Sequence, residues 1–181
     1  NVYDFSHDIW ISPRLYNFVD HGINHSYRVL ERALYIFSFL SVDRYELSPL
    51  EKTLLGMAAL IHDIGMQYEK YPIIGMNKSA GQIRDGHVDI GQEMILATKD
   101  NMFNKERSGP AINLELHRWG YLAQAAKVAF AHSGNKYWEQ LREEHYAYTR
   151  EGGLQTKRLQ LLAALLRISD ELHCEFTRVP E

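Results

Sequence analysis

Three stretches of this chain are apolar on nearly every face: Leu54–Ile61 (LLGMAALI), Tyr121–Ala131 (YLAQAAKVAFA) and Leu159–Ile168 (LQLLAALLRI). The exceptions are small residues in the first, Gln124 and Lys127 in the second, and Gln160 and Arg167 in the third. A helix that is apolar all round belongs in the centre of a fold, covered by others. Each of these stretches runs directly into groups that can ligate a metal: His62-Asp63, His132-Ser133 and Ser169-Asp170. Burying an imidazole or a carboxylate without a partner costs several kcal/mol or shifts its pKa. One histidine at a helix end reads equally well as a cap or a satisfied core group. Three buried helices that end this way point instead to one shared polar object. A divalent cation fits, because it neutralises carboxylates and faces the negative ends of the helix dipoles. Imidazole combined with carboxylate suits Zn, Fe, Mn or Ni.

The rest of the chain reads as helix and loop. Val29, Leu30, Ala33, Leu34, Ile36, Phe37 and Leu40 recur at helical spacing over His25–Leu40. Ser48-Pro49, with Glu51 three residues after Ser48, has the form of a capping box with proline at the first helical position. The helix that follows is expected to run to about Ile64 and stop at Gly65 as a C′ glycine. Residues 66–86 and 100–112 read as loops, with a helix from His87 to about Lys99 between them. Further helices are expected over Leu114–Ala131, residues 136–149 and Leu154–Phe176, with a break at Gly152-Gly153. No stretch alternates with period two, so the expected fold is all-α, a single bundle with a metal centre between buried helices.

At 181 residues the chain suits one domain. Its net charge of −3 argues against a basic domain that binds nucleic-acid polymers. Cys174 is the only cysteine, which excludes an internal disulfide or a cysteine-based zinc cluster and favours a reducing, cytoplasmic setting. No apolar run reaches the ~20 residues of a membrane span. The first residue is Asn and no signal-peptide pattern follows, so the chain reads as a piece of a longer protein with room for fused domains. Nine histidines stand out in this otherwise ordinary composition.

The order of the motifs carries a resemblance. His25-Ser-Tyr-Arg28-Val29 opens a helix, Ala-Leu-Ile-His62-Asp63-Ile-Gly65 ends one, and Leu-Leu-Arg-Ile-Ser-Asp170-Glu-Leu comes near the end. This H…HD…D order resembles the HD-domain superfamily of metal-dependent phosphohydrolases, over about residues 20–175. Gly86-His87-Val-Asp-Ile-Gly91 and Phe130-Ala-His132-Ser-Gly134 resemble the segments of members that bind two metals. Met66 stands where the cyclic-dinucleotide-cleaving HD-GYP branch has lysine, and Ala131 stands before His132 where that branch pairs histidines. The wording is closer to HD domains of larger bacterial proteins, some joined to chaperone-type ATPase modules.

The resemblance implies that His25, His62, Asp63 and Asp170 hold a first metal. It implies that Asp63 bridges to a second held by His87 and His132. Two cations (Mn, Fe, Zn, Ni or Mg) ~3.5–4 Å apart activate water and stabilise both oxygens of an in-line attack on phosphorus. The implied substrate is a small, nucleotide-like phosphate ester. Arg28, Lys78, Arg84 and Lys136 are the cations placed to contact phosphate, with Arg28 and Lys78 counted beside Asp63 in the catalytic set. His21, four residues before His25, is the rival first ligand. Asp89 is a candidate to orient a ligand histidine, and His173 and Glu171 are candidate neighbours of Asp170. His7, His117 and His145 receive no role. The contrasting reading is a regulatory module that binds metal or nucleotide without turnover.

Overall fold

His25, Ser26, Val29, Ala33 and Phe37 form a buried stripe along one face of helix α1 (Ile23–Leu40). The computed structural model of the chain describes residues 22–40, 46–70, 79–103, 121–133, 136–143 and 156–173. After α1 come α2 (Pro49–Ile61), a 3-10 segment η1 (Ile64–Lys70), α3 (Ala80–Phe103), α4 (Tyr121–Phe130), α5 (Lys136–Glu143) and α6 (Thr156–Glu171). The described regular structure is all helix, as the absence of period-two patterning predicts. Among the described residues, no helix is long and apolar enough to cross a membrane.

The three all-round apolar stretches form the centre. α2 packs against α1, α4 and α6, and α4 packs against α2, α3, α5 and α6. Leu54, Leu55, Ala58 and Ala59 of α2, Ala125, Val128 and Ala129 of α4, and Leu162, Ala163 and Leu166 of α6 are fully enclosed. At roughly 1.5–3 kcal/mol for each fully buried large aliphatic side chain, this core is the main source of stability. A second, smaller cluster of Ile64, Met66, Ile83, Ile90 and Met94 fastens η1 onto α3.

Several local expectations are corrected. α2 stops at Ile61 rather than Ile64, and His62 caps it in right-handed geometry (φ −59°, ψ −38°). The chain then tightens into η1, with the Met66 N–H donating to the Asp63 carbonyl at 2.9 Å. Of the expected 66–86 loop, residues 66–70 lie in η1 and residues from Ala80 onward in α3; 71–78 lie outside the described residues. His87 therefore sits inside a helix rather than at its start. α3 also runs through 100–103, where a loop is expected. Lys78, His7, His21, His117, His145, Trp10 and Cys174 lie outside the described residues, as do residues 114–120 and 144–155.

Gly65 is not a left-handed cap. It is a point of contact between backbones: a Cβ there would lie 1.8 Å from the His87 carbonyl oxygen and 2.8 Å from the Gly91 nitrogen. Gly91 is similarly confined, by Ile64, Phe130 and Gly65. The two glycines let η1 lie directly on α3, which brings His87 beside Asp63. Gly65→Ala must therefore push η1 and α3 apart. The expected loss is about 1–3 kcal/mol, as for an overpacked core, read as a lower midpoint in urea. An unchanged midpoint would contradict this packing.

Candidate metal centre

The ends of α2, α4 and α6 meet the first turn of α1 and the middle of α3. His25, His62, Asp63 and Asp170 place one ligand atom each within 4.8 Å of one another, and so do Asp63, His87 and His132. The His25 Nε2 lies 3.4 Å from Asp63 Oδ2, 3.1 Å from Asp170 Oδ1 and 3.2 Å from His62 Nε2. The His62 Nε2 lies 3.0 Å from Asp63 Oδ2 and 3.8 Å from Asp170 Oδ1. On the other side, Asp63 Oδ1 lies 3.5 Å from both His87 Nε2 and His132 Nε2, which are 3.3 Å apart. The two oxygens of Asp63 thus serve different groups: Oδ2 faces the first, Oδ1 the second.

These spacings fit a coordination shell. Ligands about 2.1 Å from one ion are about 3.0 Å apart at the edge of an octahedron and about 3.4 Å apart in a tetrahedron. The proton positions agree. The Nδ1 of His62 faces the Ala59 carbonyl at 2.8 Å, that of His87 the Arg84 carbonyl at 2.6 Å, and that of His132 the Ala129 carbonyl at 2.5 Å. A carbonyl oxygen can only accept, so each Nδ1 donates outward. The neutral rings then present Nε2 lone pairs to two carboxylates. A buried cluster of acceptors is costly unless a cation lies among them.

The electrostatics say the same. Burial draws the His62 pKa down, but the charge of Asp63 and the hydrogen bonds to Asp170 and Asp63 outweigh it and raise the pKa to about 10. A proton on His62 is the simplest cation this cluster takes up, and a metal would displace it. Burial pushes the Asp170 carboxyl up, yet the His25 and His62 rings, when Nε2 carries a proton rather than a metal, hydrogen-bond to it and hold it well below the usual carboxylate range. Burial keeps the His87 pKa below that of free imidazole, despite Asp63 nearby, which leaves its lone pair available.

The expected phosphate contacts are distributed differently. The Arg28 guanidinium is largely exposed and bonds Glu31 at 2.9 Å. The Lys136 Nζ bonds Asp89 Oδ1 at 2.8 Å and lies over the Tyr137 ring. Arg84 is exposed, and its carbonyl holds His87. Asp89 does not occupy the His87 Nδ1. It instead accepts from the Tyr137 hydroxyl at 2.5 Å, which ties α3 to α5 just beyond His132. Tyr137 is buried in the core and makes this polar link as well. His173, a candidate neighbour of Asp170, stacks near His25 with ring centroids 4.8 Å apart.

A family model described as HD-CE matches residues 15–181. The chain belongs to the HD-CE family. This is an HD-like domain family, in keeping with an all-helical fold and a buried His/Asp cluster. No curated protein and no solved structure matches the chain. In this HD-CE chain, the buried His/Asp groups are able to hold metal ions.

Proposed function

We propose that this HD-CE domain is a metal-dependent phosphohydrolase of the HD superfamily, cleaving a small, nucleotide-like phosphate ester with two divalent cations. One observation supports it above the others: Asp63 directs its two oxygens to separate groups of ligand atoms. A carboxylate can bridge two ions, whereas a neutral imidazole cannot. When bound, the ions supply Lewis acidity and a strongly nucleophilic water at neutral pH. His25, His62 and Asp170 would hold the first ion with Asp63; His87 and His132 would hold the second.

The chain's own residues do the rest. The helices around His25, His62, Asp63 and His132 exclude bulk water, since these side chains are at most 4% exposed. Asp170 and His87 are more open, at 23% and 15%. Substrate therefore reaches the cluster from their side. Of the two cations expected to bind the non-bridging phosphate oxygens, Arg28 is exposed on α1 and Lys78 lies outside the described residues.

The test is metal analysis of the purified protein, with turnover assayed on a panel of nucleotides and generic phosphodiesters. Two ions per chain and turnover abolished by chelation are expected. His62→Ala should lose both. If His62→Ala leaves metal content and turnover unchanged, the assignment fails. Tight nucleotide binding without turnover under Mn, Mg, Fe, Zn or Ni would favour a regulatory module instead.

A further inference from the structure

Three of the four clustered histidines solve the same problem in the same way. His62, His87 and His132 each fix the ring by donating Nδ1–H to the carbonyl three residues earlier in the same helical turn. His25 departs from this pattern. It is the third residue of α1, and the carbonyl three residues back, that of Gly22, accepts from the Ser26 N–H at 3.2 Å. The His25 Nδ1 instead lies 2.7 Å from the Nδ1 of His173, across 148 positions of sequence.

His173 is well placed for this. It lies two residues past the end of α6, is 3% exposed, and donates its backbone N–H to the Asp170 carbonyl at 3.0 Å. One residue therefore touches the backbone of one member of the cluster and the side chain of another. We propose that His173 is a positioning residue for the metal centre, accepting the Nδ1 proton of His25. The inference rests on reading the cluster as a metal site. If the Nε2 of His25, turned toward Asp63 and Asp170, ligates an ion, its lone pair is committed there, and a neutral His25 carries its proton on Nδ1. The Nδ1 of His173 must then accept, with its own proton on Nε2. A neutral histidine in this role orients the ring without adding a third negative charge to a site that already holds two carboxylates. A carboxylate partner would do so at a cost in desolvation.

Partners behind metal ligands are worth about 10–100-fold in metal affinity. His173→Phe keeps the ring volume and removes the acceptor. His173→Asn restores an acceptor near the original Nδ1. Titration of the metal-free protein with Mn²⁺ or Zn²⁺ against a chelator should give about 10–100-fold weaker binding for His173→Phe, with most of it recovered in His173→Asn. Far-UV circular dichroism should show both variants folded. Wild-type affinity in His173→Phe would overturn the positioning role while leaving the metal site standing. Equal losses in Phe and Asn would assign His173 a packing role and also overturn it. A wild-type protein that binds neither ion would overturn the metal centre and this inference together.

Discussion

Replacing Asp63 with asparagine is expected to leave the protein folded, reduce its bound metal from two ions to one or none, and slow phosphodiester hydrolysis about a thousandfold. The shape of the side chain is kept, so packing against Ile64 and the end of α2 is unchanged. What is lost is one negative charge shared by two groups of ligands. Asp63 Oδ2 is 3.0 Å from His62 Nε2, and Asp63 Oδ1 is 3.5 Å from both His87 and His132. An amide offers one oxygen and an NH₂ group, and the NH₂ cannot ligate. Whichever way it turns, one side of the centre loses its acceptor and gains a donor. A loss of about 4 kcal/mol in transition-state stabilisation corresponds to about three decades in rate. Stoichiometry by elemental analysis, with turnover measured at saturating metal, separates the outcomes. Two ions and an undiminished rate would mean that Asp63 bridges nothing. Loss of the His87/His132 ion alone would show that Asp170 and two histidines suffice for the first site.

Much of this centre is legible in the sequence because of where apolar residues surround polar ones. Leu54–Ile61, Tyr121–Ala131 and Leu159–Ile168 have no polar face, so the groups at their ends had to meet inside. The Ser48/Glu51 capping box is equally legible, and both halves form, at 2.8 and 3.2 Å. The start of α3 is harder to read, since Gly81 and Gly86 lower helix propensity and mask the period. A signal is present nonetheless. Ser79 and Gln82 form a second capping box, with the Ser79 N–H donating to Gln82 Oε1 at 2.9 Å and the Gln82 N–H to Ser79 Oγ at 3.3 Å. Gly65 follows a helix, as a C′ glycine would, but is required by the approach of α3, which only the tertiary structure reveals. The His25–His173 pair and the Tyr137–Asp89 link are illegible for the same reason. They join residues far apart in sequence, and a local pattern carries no record of such partners.

Removal of the Glu51 carboxylate should be the most damaging change away from the centre, at about 3–5 kcal/mol, as for breaking a buried ion pair. Glu51 is 2% exposed at the start of α2. It accepts from the Ser48 N–H at 2.8 Å and from Arg158 Nη2 at 2.8 Å, and Arg158 Nε bonds its other oxygen. The guanidinium also donates to the Glu46 carbonyl at 3.2 Å. This two-pronged pair fastens the beginnings of α2 and α6 together, and the far ends of the same helices carry His62-Asp63 and Asp170. From Glu51 to His62 the helix rises about 16 Å, at 1.5 Å per residue, so the clamp is remote from the chemistry. Glu51→Gln should therefore lower the urea midpoint while leaving metal stoichiometry intact well below the melting temperature. The pH profile distinguishes this pair from simple packing. Burial pushes the Glu51 carboxyl up, but the hydrogen bonds from Arg158 and Ser48 outweigh it and leave its pKa below 4.5. Its stabilisation is therefore complete above pH 4.5 and disappears as the pH falls through the lower, folded-state value. In Glu51→Gln nothing titrates at this position, so its stability should fall less steeply with acid, and the gap between variant and wild type should narrow below pH 4.5. Parallel curves for the two proteins across that range would mean that the carboxylate charge contributes nothing to the clamp, leaving Arg158 and Glu51 joined only by packing.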